Sequence, residues 1–232
     1  MKTKIIILIT LIGFNINLLA SSSLKVTEIS EASINESIVI KAANSKGKLT
    51  IELMSYLKNK TKPIAVKMKI INELGIYALG NFTNESINLF GLEAREYRQD
   101  NSEIFYKYLN KNNEYSNIDD FLNKADGDLI ICMTYLKVMD YNNTNEEALL
   151  FVEKAKQKKP NSYVIYIISA LIEAEQIINN EKCLVYKLAN EVRNNKQLNK
   201  DMNEKAIEII FEYIDFYKDE CRMNKYSKIV LR

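Results

Sequence analysis

The 232-residue chain has no histidine and no tryptophan, and it contains only 2 prolines, 6 glycines and 3 cysteines. Without histidine, it lacks the side chain that most often serves as a metal ligand or as a general base at neutral pH. So few prolines and glycines leave few places for the tight turns of an all-β fold. The composition therefore favours a helical interaction protein over an enzyme.

The charge balance is close to neutral, with 32 basic and 30 acidic side chains and a formal net charge of +2. Such a chain has no long-range electrostatic attraction for nucleic acid. Hydrophobic residues make up 47% of the sequence, as in folded globular proteins. We expect no nucleic-acid partner, no cofactor and no metal site, and we expect another protein as the partner.

The first twenty residues have the pattern of a secretory signal peptide. Lys2 and Lys4 precede an apolar run over 5–14, and Ala20 stands before three serines. The run is much shorter than the roughly 20 residues that cross a bilayer, so we favour cleavage after Ala20 over a membrane anchor. Cleavage would leave 30 basic groups against 30 acidic ones and no transmembrane helix. The abundance of lysine, asparagine and isoleucine suggests an AT-rich bacterium, with the protein in its periplasm or outer envelope.

The three cysteines, Cys132, Cys183 and Cys221, are odd in number and widely spaced. Disulfide scaffolds usually contain an even number of cysteines at high density. Each of the three lies in or beside an apolar helical pattern, so we expect buried free thiols. The alternative is a single disulfide with one cysteine left over. Three such thiolates without histidine do not make a metal site.

Apolar residues at helical spacing predict a series of helices joined by short polar turns. The predicted helices cover 63–80, 102–111, 117–125, 129–141, a segment that ends near 158, 163–178, 181–194 and 202–218. Pro63 opens the first of them, and Pro160 follows the end of the fifth. No segment shows the sustained alternation of a strand. The sequence therefore predicts an all-α fold of antiparallel helix pairs.

A shift of 34 residues brings equivalent packing positions in the C-terminal third of the chain into register. The aligned pairs are Cys132 with Tyr166, Leu136 with Ala170, Val152 with Tyr186, and Ala155 with Ala189. The unit 129–162 contains Ala148, Ala155 and Pro160, and the unit 163–196 keeps Ala170, Tyr186 and Ala189. This period, with small residues and a terminating proline in the second helix, resembles the tetratricopeptide repeat. The alternative is a non-repetitive helical bundle whose helices have similar lengths.

The resemblance implies a short solenoid of stacked helix pairs. Its divisions are a signal peptide (1–20), an N-terminal helical hairpin (21–62), degenerate repeats (63–128), two tetratricopeptide-like repeats (129–196), and a capping helix with a tail (197–232). A further candidate unit at 68–101 has Leu74 and Gly75 in its first helix and Ala94 in its second. The hairpin serves either as a cap for the repeats or as a second partner-binding element.

In tetratricopeptide proteins, the first helices of successive units line a groove that binds peptides or helices. Carried over by register, the groove positions are Ile130, Met133, Thr134, Lys137 and Asp140 in one unit, and Val164, Ile167, Ile168, Leu171 and Ala174 in the next. Only Lys137 is basic, unlike the clamp of Lys, Asn and Arg in chaperone-binding members. The resemblance thus implies an apolar strip that suits a partner helix. The alternative is that the C-terminal helix or residues 221–232 cover this strip and make it part of the core.

No catalytic motif occurs in the sequence, neither a P-loop, a nucleophile elbow, a dinucleotide-binding glycine motif nor a zinc-binding histidine motif. The adjacent acidic pairs at 119–120 and 146–147 are typical of helix N-termini. We therefore expect an exported adaptor or scaffold, without catalytic residues, that binds another envelope protein and helps to stabilise it. The alternative is an all-helical cell-wall hydrolase that works through carboxylates alone.

Overall fold

The computed structural model describes residues 29–33, 35–80, 100–141, 146–178 and 181–221. These residues form α-helices and two short 3₁₀ turns, without a β-strand, so the predicted all-α class is confirmed for them. The helices are α1 (Ser37–Asn44), α2 (Ile51–Lys58), α3 (Ile64–Gly80), α4 (Asn101–Leu109), α5 (Ile118–Lys124), α6 (Gly127–Tyr141), α7 (Glu146–Lys158), α8 (Tyr163–Ile177), α9 (Lys182–Asn194) and α10 (Glu204–Ile214). The 3₁₀ turns are Ile29–Ser33 and Asp215–Tyr217.

Several sequence predictions lie outside the described residues. They are the signal peptide at 1–20, the second helix of the candidate unit 68–101, which contains Ala94, and the tail after 221. Within the described part of the chain, no helix has both the length and the hydropathy that crossing a membrane requires.

Local signals in the sequence set many of the helix ends. Asp100, Asn117, Ser162 and Asn203 each precede a helix and accept a hydrogen bond from its third backbone N–H group. Pro63 stands directly before α3, where a missing N–H group costs nothing. Helix α7 ends at Lys158, two residues before Pro160. The roles predicted for both prolines are therefore confirmed.

The C-terminal helices pack in pairs. Helix α7 packs against α6, and α9 packs against α8. The first pair is antiparallel, because Gly127 at the start of α6 lies beside Ala155 near the end of α7, whereas Lys137 near the end of α6 pairs with Glu147 near the start of α7. Helix α8 contacts both α6 and α7. The second pair therefore stacks on both helices of the first.

Helices α6 and α8 form the centre of the core. Helix α6 is surrounded by α3, α4, α7 and α8, and buried residues occur on all sides of it. Helix α8 is likewise buried along most of its length. Apolar residues on every side are typical of a helix that is enclosed by others. Surface-facing side chains therefore come mainly from α1, α2, α4, α5, α7, α9 and α10.

The N-terminal hairpin is integrated into the body of the protein. Helix α1 packs mainly against α3 and only slightly against α2. Lys69 of α3 is buried, and its ammonium group lies 3.7 Å from the Glu36 carboxylate just before α1. Burial lowers the pKa of Lys69, and Glu36 opposes this shift. Leu53 and Leu57 of α2 are buried in the same core.

A close approach of backbones at Gly127 gives a first testable prediction. A Cβ atom at Gly127 would lie 2.9 Å from the carbonyl oxygen of Ala155 and 3.0 Å from Cβ of Lys159. Because backbone atoms cannot rotate away, Gly127→Ala should force α6 and α7 apart and lower the free energy of unfolding by about 1–3 kcal/mol. Urea denaturation followed by circular dichroism measures this change.

Gly75→Ala is the matched control for this measurement. There the nearest atom to the added Cβ would be Cε of Met139, the far end of a flexible side chain, although Cβ of Met139 would also be close at 3.1 Å. The gain in helix propensity, roughly 1 kcal/mol, offsets part of that strain. Equal losses in the two variants would contradict a rigid contact at Gly127.

Candidate functional site

The predicted groove is not an open surface in this structure. All of its predicted positions except Lys137 are buried: Ile130, Met133, Thr134, Asp140, Val164, Ile167, Ile168, Leu171 and Ala174. The reason is that α6 and α8 pack against other helices on the sides where these positions lie. The strip is therefore buried in this structure, and these side chains offer no contact to a partner here.

Lys137, the partly exposed position, faces the neighbouring helix. It forms an ion pair with Glu147 of α7, and its ammonium group lies 5.8 Å from the centre of the Phe151 ring. Lys137 thus stabilises the α6–α7 pair by charge and cation–π contacts. Its ammonium group is not available for a peptide carboxylate while these contacts persist.

The positions predicted to pack the repeats lie where small side chains are needed. Ala148, Ala155, Ala170 and Ala189 are buried, Tyr186 is partly buried against the core, and Pro160 is exposed in the turn after α7. Ala155 contributes the carbonyl oxygen that lies against Gly127. Small residues at these sites allow the helix axes to come close together.

A buried chain of hydrogen bonds joins the N-terminal 3₁₀ turn to the central helices. The backbone N–H of Ser30 donates to Oδ1 of Asn72 in α3 at 3.2 Å. Nδ2 of Asn72 donates in turn to the hydroxyl of Tyr135 in α6 at 3.1 Å. Burial raises the pKa of Tyr135 well above its ordinary value, so the phenol remains neutral. Each buried polar group in this chain depends on the next one for its hydrogen bond. The chain therefore favours one specific arrangement of the turn, α3 and α6.

Helices α8 and α10 contribute further polar groups near this chain of hydrogen bonds. The Glu175 carboxylate of α8 acts electrostatically on both Tyr135 and Tyr213 and raises the pKa of each phenol in addition to burial. Tyr213 of α10 shares a hydrogen bond with the Tyr217 hydroxyl at 2.6 Å. We use the name inner cluster for Asn72, Tyr135, Glu175, Tyr213 and Tyr217. It draws its polar groups from α3, α6, α8, α10 and the turn that follows α10.

The sequence analysis did not identify the inner cluster. The sequence signal that could have indicated it is Asn72. This amide side chain and its neighbour Glu73 are the two polar residues of the stretch Ile70–Leu74, whose other members are apolar. A polar side chain on the buried side of a helix requires a partner, which would have indicated a contact outside α3. The identity of that partner depends on tertiary packing and cannot be read from spacing.

The structure corrects the expectation for two of the three cysteines. Cys183 of α9 and Cys221 form a disulfide with a Cα–Cα distance of 4.7 Å across 38 residues. Their wide separation in sequence concealed this pairing, because only the packing of α10 and the following turn along α9 brings the two together. The expectation of a free thiol is confirmed for Cys132, which is buried. Burial raises the pKa of Cys132 to about 12, so its thiol is unreactive near neutral pH.

A shallow cleft lies between α1 and α2 on the surface. It has a volume of about 500 Å³ and is lined by the apolar parts of Ile38, Ile51 and Tyr56, with Glu52 and Lys62 at its edge. Ile51 is 74% exposed, and Lys62 lies over the Tyr56 ring at 5.4 Å from its centre. We call this the α1–α2 cleft. An exposed aliphatic and aromatic surface with charged edges is typical of protein interfaces.

A second, smaller cleft of about 220 Å³ lies between α7, α8 and α9. The Lys156 ammonium group at its edge contacts Glu173 at 2.6 Å and Glu153 at 2.9 Å. Burial alone would lower the pKa of Lys156, but its hydrogen bonds to the two carboxylates outweigh this effect and raise the pKa. Lys156 and Glu173, two charged residues that line this cleft, are therefore already paired with each other.

One carboxyl group has the raised pKa that an acid catalyst would need. Burial is the main cause that raises the pKa of Asp140 to about 6. However, its Oδ2 accepts a hydrogen bond from the backbone N–H of Ser102 at 2.7 Å, so Asp140 of α6 holds the start of α4. Among the described residues, no group of three potential metal ligands comes together. The geometry of Asp140 is that of a structural cap.

Comparisons with protein-family models, with curated proteins and with solved structures give no match. What the structure defines is the class of the described part of the chain, an all-α protein whose paired helices pack around two buried central ones.

Proposed function

We propose that the protein is an exported helical-repeat adaptor that binds another protein of the bacterial envelope. The observation that carries this proposal is the packing of α8 against both α6 and α7, since each new pair in a tetratricopeptide stack contacts both helices of the pair before it. The 34-residue shift between the two pairs and the buried alanines at their contacts support the same arrangement.

The disulfide supports export. Disulfides persist in oxidising compartments such as the periplasm and are rare in a reducing cytosol. The third cysteine, Cys132, is buried and cannot exchange with the bond between Cys183 and Cys221 without unfolding. Together with the signal-peptide pattern at 1–20, this pairing favours a protein that folds after secretion.

The α1–α2 cleft is the surface that we propose for the partner. Ile51 is the most exposed isoleucine described, and it continues the apolar lining formed by Ile38 and Tyr56. The exposed ion pair between Lys41 and Glu52 spans α1 and α2 at the edge of the cleft and leaves Ile51 exposed. This role corresponds to the second partner-binding element that the sequence analysis considered for residues 21–62.

Photocrosslinking in intact cells tests the proposal. A photoreactive amino acid at position 51 should give a specific adduct with one envelope protein, because this side chain points into solvent at the cleft. The matched control is position 150, since Leu150 of α7 is also an exposed apolar residue at 51% but lies outside the cleft. Mass spectrometry of the adduct identifies the partner.

A second arm uses Ile51→Lys, which places a charge where a partner would bring apolar surface. It should reduce recovery of the partner at least about tenfold while the thermal stability changes little, because exposed substitutions are usually near neutral. Adducts of equal yield at both positions, or none at position 51, would contradict the proposed interface.

A further inference from the structure

The 3₁₀ turn Ile29–Ser33 lies between helices that are far apart in the chain. It packs against α3 and α10, and its first residue, Ile29, is 1% exposed. The contacts with these two helices place the turn in the structure. The turn therefore lies between α3 and α10 in the way that a bound peptide segment would.

Two asparagine side chains contact the main chain of this turn. Oδ1 of Asn72 accepts the hydrogen bond from the backbone N–H of Ser30 at 3.2 Å. Nδ2 of Asn203 donates to the carbonyl oxygen of Ala32 at 3.4 Å. Both contacts are to backbone atoms, so they select a segment by its main-chain conformation rather than by the polarity of its side chains.

Each of the two amides is oriented by a contact that does not involve the turn. Nδ2 of Asn72 donates to the Tyr135 hydroxyl at 3.1 Å. Oδ1 of Asn203 accepts from the backbone N–H of Ala206 at 2.8 Å and so caps α10. Contacts within the protein thus fix the orientation of both amide groups. The two side chains therefore lose little conformational entropy when a segment binds to them.

We propose that Asn72, Asn203 and the surface of α3 and α10 between them form a peptide-binding site, which the chain's own Ile29–Ser33 occupies in cis. Its ligand is a short segment recognised through its main chain, with a buried aliphatic residue at the position of Ile29, small residues at the positions of Ser30 and Ala32, and an exposed residue at the position of Glu31. Because the segment is tethered, its effective concentration is on the order of millimolar, and it keeps the site filled. The inference does not depend on the proposed envelope partner or on the α1–α2 cleft.

Peptide binding in trans tests the inference. The probe is a fluorescent peptide with the sequence of residues 26–36, and the protein is the chain from Ser21, its expected mature form. Ile29→Ala weakens the tethered segment without adding a charge. By fluorescence anisotropy, we expect the peptide to bind this variant at least about tenfold more tightly than it binds the unaltered chain, because the competing segment is weakened.

Variants at the two asparagines show whether the proposed groups bind the peptide. In the Ile29→Ala background, Asn72→Ala should abolish binding. Asn203→Ser should weaken binding severalfold while leaving α10 intact, because a serine still caps a helix but lacks the amide donor. A peptide carrying Ile29→Asp should not bind in any background.

Two outcomes would overturn the inference. One is an Ile29→Ala protein that keeps its helical circular dichroism and cooperative unfolding but binds no peptide. The other is an Ile29→Ala protein that loses its helical structure, since Ile29 would then be an ordinary core residue and not a ligand. The readout is a peptide affinity, so failure of the envelope crosslinking experiment leaves this result unaffected.

Discussion

Replacing Cys183 and Cys221 by serine is expected to lower the free energy of unfolding by about 4 kcal/mol. The bond closes a loop of 38 residues that contains most of α9 and all of α10, so its loss releases considerable entropy in the unfolded chain. For a protein of this size, the melting temperature should fall by roughly 10 °C. Differential scanning calorimetry of the two proteins measures the change.

Reduction provides the matched control for this prediction. An excess of dithiothreitol should lower the melting temperature of the unaltered protein to that of the double variant, and it should leave the double variant unchanged. Under denaturing, non-reducing conditions, a thiol assay should detect a single reactive group per chain, Cys132. Three reactive thiols in the unreduced protein would contradict the disulfide.

Asp140 should make the stability of the protein fall as the pH rises from about 4 to about 7. Its pKa is raised from 3.8 to about 6 in the folded state, mainly by burial. The fold therefore favours the protonated form, whose stabilising contribution is complete below the unfolded pKa and is lost as the pH rises through the folded pKa. The shift corresponds to a loss of about 3 kcal/mol for this one group.

Asp140→Asn isolates this contribution from that of the other carboxyl groups. Asparagine keeps a carbonyl oxygen that can accept the hydrogen bond from Ser102 N–H, but it does not ionise. We expect the stability of the variant relative to the unaltered protein to increase by about 2 kcal/mol between pH 4 and pH 7, as measured by urea denaturation. Asp140→Ala, which lacks the acceptor, should be destabilised at both pH values. A difference that does not vary with pH would contradict the raised pKa.

Local signals in the sequence were sufficient for the helices and for several of their ends. Pro63 and Pro160 act within one or two residues of their own positions, and the capping asparagines and serines bind backbone groups of the next turn. The helix predicted over 202–218 is also present, as α10 up to Ile214 and the 3₁₀ turn after it. Such interactions connect residues that are close in sequence, so their pattern is sufficient to predict them.

The predicted groove shows where sequence patterns become insufficient. Helices α6 and α8 are apolar on nearly every side, so hydrophobic periodicity does not distinguish a groove-lining side from a packed one. Alignment with the tetratricopeptide repeat predicted that Ile130, Ile167 and Leu171 line an open groove. In the structure, neighbouring helices pack over these three side chains and bury them. The sequence did not locate the α1–α2 cleft either. For the segment that contains it, residues 21–62, partner binding was one of two roles considered, and capping of the repeats was the other.

The sequence by itself determined that this protein is helical, nearly neutral and without histidine chemistry, because composition and short-range spacing are properties of the chain alone. Tertiary structure decided which cysteines pair, which apolar side is covered, and that Ile29–Ser33 lies between α3 and α10. The physical reason is distance along the chain. Contacts such as that between Asn203 and Ala32 join residues 171 positions apart, and no local pattern encodes which partners the fold brings together.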